Sequence, residues 1–155
     1  MAMTPDQIKT AYPLPSYNFR VEIDGQSVGF SEVSGLSIGF ETITYVESPT
    51  AGLGPRFMHM PGKPTPPKIT LKKGLVTGVS VATLFAWINS IALNRVQKKD
   101  IAIRLCDENG APVISWSVIN AFPTKLDAPA FTASSNDVAI ETIELMADRI
   151  VEQQN

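Results

Sequence analysis

The stretch IAIRLCDENGAPVISWSVINAF, residues 101–122, decides the fold class. Ile101, Ile103 and Leu105 alternate with Ala102, Arg104 and Cys106. A period of two places successive side chains on opposite faces of a strand. Asp107-Glu108-Asn109-Gly110 then makes a tight turn with an Asn-Gly core. Val113 to Phe122 returns, with Ile114, Trp116 and Val118 on one face and Ser115 and Ser117 on the other. The stretch reads as an antiparallel pair with a buried side and a polar side.

Working outward, the same signals recur. Ser16 to Asp24 alternates Tyr17, Phe19, Val21 and Ile23 with polar residues, and Asp24-Gly25 turns the chain into a return strand over Gln26 to Val33. Leu36 to Val46 is a long strand with two mixed faces and an edge without proline, which implies that both sides meet something other than one core. Lys68 to Lys73 is a short strand. Val138 to Ala147 is the last one; its apolar residues change parity midway, which implies a bulge, a twist or a second buried face. One helix is expected, over Ser80 to Asn94, with Ser80 as N-cap, a stripe of Val81, Leu84, Phe85, Ile88, Ile91 and Ala92, and Trp87 at its border. Residues 1–15 form a polar arm ending in Tyr12-Pro13-Leu14-Pro15, where the prolines oppose helix. The result is a single mainly β domain: an antiparallel barrel or sandwich of about seven strands with one flanking helix.

Ser48 to Pro67 differs in character. It holds Pro49, Pro55, Pro61, Pro64, Pro66 and Pro67, half of the prolines in the chain, and reads as an extended loop. Leu53, Phe57, Met58 and Met60 are large apolar groups, so a partner must cover them; with His59 and Pro61 they are the candidate contacts between subunits. Thr42, Thr44, Ser115 and Ser117 are candidates for a water-facing side.

Reactive chemistry is hard to find. His59 is the only histidine and has no nucleophile or second imidazole in its segment. Met58 and Met60 beside it are read as packing groups rather than metal ligands. Cys106 is the sole cysteine and reads as a small filler. The carboxylate pairs Asp107/Glu108 and Glu141/Glu144 read as solvated turn and strand positions. No glycine-rich loop joins a strand to a helix, so no catalytic, metal or cofactor site is assigned. A net charge of -2 gives no overall basic footprint for duplex binding. The first residues carry no signal-peptide pattern and no apolar run is long enough to span a bilayer, so synthesis in the cytoplasm is expected.

Five segments together resemble the contractile-tail tube protein family. They are residues 12–21 with 30–36, Met60-Pro61-Gly62 followed by 69–74, 85–91, 120–126, and Glu144 to Asp148. The order matches over nearly the whole chain. The resemblance is strongest to inner-tube proteins of extracellular contractile injection systems, of the Photorhabdus virulence cassette and antifeeding prophage type; type VI secretion tube proteins (Hcp) are related. It implies hexameric rings whose sheets join around a channel, stacked inside a sheath above a baseplate, with protein cargo or DNA in the lumen. Residues 48–67 would then contact the next ring. Their length and richness in proline and glycine leave open a specialised tube-initiator ring at the baseplate. From the residues alone, a monomeric β-barrel holding a small ligand in a closed apolar interior is the rival reading. An enzyme on a small β scaffold is a third, and it lacks a convergent titratable cluster.

Overall fold

In the computed structural model, residues 2–76 and 81–154 are described. The deciding stretch forms β7 (Lys99–Cys106) and β8 (Pro112–Asp127), paired antiparallel with Ile103 opposite Trp116 and Leu105 opposite Ile114. Asp107 shapes the turn between them: its Oδ1 accepts the backbone N–H groups of Asn109 and Ala111, each at 2.9 Å. Gly110 supplies the left-handed backbone there (φ 79°).

Ahead of this pair come α1 (Pro5–Ala11), β1 (Phe19–Ile23), β2 (Gln26–Val28), β3 (Glu32–Ser34), β4 (Gly39–Glu47), β5 (Arg56–Thr65) and β6 (Lys68–Gly74). A π-helical turn (Val81–Phe85) leads into α2 (Ala86–Asn89), and β9 (Ile140–Met146) and β10 (Arg149–Gln154) follow β8. The main sheet has the order β2-β1-β7-β8-β9-β6-β3, with β10 also on β8. β8 serves two layers. Its first part lies between β7 and β10, and its second part pairs with β9. β9 and β10 run end to end along it.

The bend falls at Asn120, whose φ of 54° is a conformation asparagine tolerates better than most residues. Its backbone N–H donates to Asp100 at 3.0 Å and its side-chain amide to Asp148 at 2.9 Å. Val21, Ile23, Ile101, Ile103 and Val118 from one layer meet Ile69, Leu71, Ile143 and Leu145 from the other. Leu84 and Trp87 close the core, with the Trp87 indole N–H donating to the Gln97 carbonyl at 2.8 Å.

Several expectations need correction. The described residues hold ten strands and two α-helices, not seven and one. The expected return strand breaks into β2 and β3, which edge opposite ends of the strand order. Residues 56–65, expected within a loop, are strand β5; only the turn before it is irregular. Its prolines are tolerated because β5 is the edge of a two-stranded ribbon, where a missing donor breaks no central ladder.

The helix is far shorter than 80–94. Ser80 and the side chain of Val81 lie outside the described residues. The wide π turn resets the phase, so Leu84 and Trp87 are buried while Phe85 and Ile91 are exposed. β9 has no parity slip. Glu141, Ile143, Leu145 and Ala147 share the buried side in unbroken register with β6, and Val138 lies before the strand. The arm does form a helix, because Thr4 and Gln7 make a reciprocal capping box and Pro5 begins it.

Two predictions follow from the packing. Gly35 has a φ of 87°, and a Cβ there would collide with the Lys68 carbonyl oxygen. Gly35→Ala should cost about 3 kcal/mol in urea unfolding, while Gly29→Ala, which meets nothing, should stay within about 1 kcal/mol. Glu141 is buried, and its Oε1 has no hydrogen-bond partner. Its cross-strand neighbour Lys73 instead donates to the Gly29 carbonyl at 2.8 Å. Burial pushes the Glu141 carboxyl up, partly offset by the Lys73 charge. The native state therefore keeps this proton when the unfolded chain has lost it, and stability falls as pH climbs through the range above the ordinary glutamate value. Glu141→Gln should flatten that slope and stabilise the fold at neutral pH by about 1 kcal/mol, measured by unfolding at a series of pH values.

Candidate assembly interface

The hairpin β4–β5 pairs with itself and with no strand of the main sheet. Its register sorts the side chains. Val46 faces Phe57, Thr44 faces His59 and Thr42 faces Pro61 on one side; Tyr45 faces Met58, Ile43 faces Met60 and Glu47 faces Arg56 on the other. Cross-strand partners share a face, and two contacts agree with this assignment. Thr44 Oγ1 lies 3.1 Å from His59 Nδ1, and Arg56 pairs with Glu47 at 3.7 Å. Gly62 lets the strands close, since a Cβ there would sit 3.0 Å from the Glu41 carbonyl oxygen.

Phe40, Ile43, Tyr45, Val46, Phe57 and Met60 are all exposed, and Leu53 at the turn is wholly so. The ribbon therefore leaves large apolar groups bare on both sides. All six expected contact residues lie on it, but not on one face. Phe57, His59 and Pro61 are on one side, Met58 and Met60 on the other, and Leu53 is at the apex.

The expected water-facing residues fall in two places. Thr42 and Thr44 are exposed on the hairpin. Ser115 and Ser117 are on the main sheet, on the side of β8 opposite to Val118. Ser115 is buried within the chain and Ser117 partly so. That side of the sheet also carries Arg20 and Glu22 from β1, Arg104 from β7 and Gln153 from β10. Arg104 and Glu22 are joined at 2.8 Å. Sequence reasoning missed this polar wall beyond the two serines, although the alternation of Arg20 and Glu22 with Val21 and Ile23 marks it.

At the other end of β8, α1 stands against the β7–β8 turn without a buried residue. Lys9 pairs with Glu108 at 2.8 Å. The hydrogen bond from Lys9 holds the Glu108 carboxyl below its ordinary value, and the same contact raises Lys9. The T-x-x-Q pattern at Thr4–Gln7 is the signal that could have found this helix. A cleft of about 590 Å³ lies between α1 and the body.

His59 faces Thr44 and no carboxylate, and Cys106 is buried with its thiol toward the Arg104 carbonyl. Among the described residues, no three His, Cys, Asp or Glu groups are placed to hold a metal ion, and no helix is long and apolar enough to cross a membrane.

Residues 15–151 match the family model described as T4-like virus tail tube protein gp19. A chain in the sheath–tube complex of the extracellular contractile injection system PVC, in its extended state, is 43% identical, with a TM-score of 0.89. That alignment covers 99% of this chain and 100% of the other. A chain in the cap of the anti-feeding prophage, where the tube terminates, is 45% identical over 100% of both chains, with a TM-score of 0.84. Hcp1 from Salmonella typhimurium shares the fold at 10% identity and a TM-score of 0.55, over 88% of this chain and 85% of its own. No match was found among curated proteins.

Because the Glu108 carboxyl is depressed by its tie to Lys9, the tether should weaken as pH falls through the acid range. Glu108→Gln should reproduce the loosening at neutral pH, read as several-fold faster tryptic cleavage after Lys9 with the unfolding midpoint unchanged.

Proposed function

The chain belongs to the T4-like virus tail tube protein family, and from that premise we propose that it is a structural subunit of the inner tube of an extracellular contractile injection particle. Copies form hexameric rings that stack inside a sheath and above a baseplate. The observation that carries the reading is the β4–β5 ribbon, which has no further partner strand among the described residues and is apolar on both sides. A neighbouring copy supplies its cover. The polar side of the main sheet, with Arg20, Glu22, Arg104, Ser115 and Ser117, faces the channel, and the core side faces outward.

A place in the tube is favoured over the initiator ring by the likeness above 40% to chains of a sheath–tube complex and a tube cap. The same relatives favour an extracellular injection particle over a phage tail. The ligand-barrel reading has little support, because side chains fill the space between the layers; Val118, Ala121, Ile143 and Leu145 are 0% exposed. The family speaks for a structural role rather than catalysis.

Purified protein should show rings about as wide as six such domains, or longer tubes, in negative stain at high concentration. Monomers alone at every concentration and salt, with baseplate partners present, would count against the reading. Deleting residues 51–55 should leave the far-ultraviolet spectrum and melting temperature intact while shortening or abolishing tubes. Loss of the fold in that variant would place the turn in the core instead.

A further inference from the structure

We propose that Lys73 is a two-position latch on the link between β2 and β3: it ties that link to β6 while Glu141 holds its proton, and it turns to Glu141 when the carboxyl ionises. The inference goes beyond the tube reading and does not depend on it.

The link matters because of where its ends lie. β2 and β3 stand at opposite ends of the strand order, and each has three residues. Residues 29–31 therefore bridge the edge of one layer to the edge of the other. Lys73 fastens this bridge twice. Its Nζ donates to the Gly29 carbonyl at 2.8 Å and stands 6.0 Å from the centre of the Phe30 ring. Phe30 in turn packs against the core. Ser31 adds a second anchor, its backbone N–H donating to the Lys72 carbonyl at 2.7 Å and its hydroxyl to the same oxygen at 3.0 Å.

Glu141 lies directly opposite Lys73 in the β6–β9 register. Residues so paired have Cβ atoms about 5 Å apart, well within the reach of a lysine. Yet Glu141 Oε1 is buried without a partner, and the ammonium group is committed to Gly29. A carboxyl in this position is tolerable with its proton and costly without it. Ionisation leaves one remedy at hand, because a carboxylate holds an ammonium group more strongly than a neutral carbonyl does.

No other charge competes for the place. Among the described residues, Lys73 is the one charged side chain that shares the core face of β3, β6, β9 and the second part of β8 with Glu141. Glu32, Lys68, Lys72, Lys125, Asp127 and Glu144 lie on the other face of that layer. Arg20, Glu22 and Arg104 lie on the polar side of the facing layer, away from the core. Asp137, ahead of β9, accepts a hydrogen bond from Ser135. Burial pushes the Glu141 carboxyl up and the Lys73 charge opposes it. The link is thus fastened in acid and let go as pH climbs through the range above the ordinary glutamate value.

The Phe30 N–H belongs to the same peptide unit as the Gly29 carbonyl, so its resonance registers the departure of Lys73. In a pH titration of the labelled full chain by nuclear magnetic resonance, the Phe30 amide and the Glu141 carboxyl should move with one shared midpoint. Hydrogen exchange at the Ser31 amide, corrected for its intrinsic pH dependence, should quicken several-fold across that midpoint. Glu141→Gln should abolish both steps. Lys73→Met should abolish the Phe30 step and raise the Glu141 midpoint by about 1 pH unit or more, and it decides the matter alone if the glutamine variant does not fold. A Phe30 amide that stays flat while Glu141 titrates, or that steps unchanged in Glu141→Gln, overturns the latch. A Glu141 midpoint unmoved by Lys73→Met overturns it too.

Discussion

The fold hangs on one strand having to belong to two sheets. β8 is sixteen residues long, and no flat layer of this size could use all of it. Asn120 resolves the problem by bending the strand where Asp100 and Asp148 can satisfy its backbone and side-chain donors. Past the bend, β8 leaves β7 for β9, and β9 gives way to β10 along the same edge. The two layers therefore face each other with a shared spine, and the apolar sides of β1, β6, β7 and β9 are brought together. An aspartate at position 120 would keep the backbone donor to Asp100 but face Asp148 without one, so that half of the polar knot is specific to the amide.

Once the core is closed in this way, β4 and β5 have nothing left to join. An isolated two-stranded ribbon is marginal in water, and among the described residues this one gains a threonine–histidine contact and an exposed ion pair from its own side chains. The domain and the ribbon thus have separate sources of order. The first comes from buried Ile, Val and Leu within one chain, and the second from whatever the ribbon meets. That division explains how a subunit can be folded before it is assembled.

The body was more legible in the sequence than its extensions. Alternation in residues 16–24, 68–73 and 101–122 marks strands because a half-buried sheet imposes a period of two. Where partners are other chains, that logic fails. β5 carries prolines and apolar groups on both sides, so it read as loop. β10 buries Ile150 and little else, which leaves almost no pattern to see. α2 misled for a different reason: the π turn before it shifts the phase, so Trp87, placed at the border of the stripe, is a core residue. The candidate contact residues were found because they are apolar where the chain cannot bury them. Their division between two faces depended on register, which spacing alone did not fix.

Pro61 and Pro64 on β5 carry a consequence for handling the protein in bulk. Each removes a main-chain donor from the ribbon, and Pro66 and Pro67 extend the gap to the start of β6. That rim cannot template another extended segment hydrogen bond by hydrogen bond. Greasy as it is, the ribbon is thereby steered away from fibrous, amyloid-like zippering along β5, and the proline-free rim of β4 is the side left open to another strand.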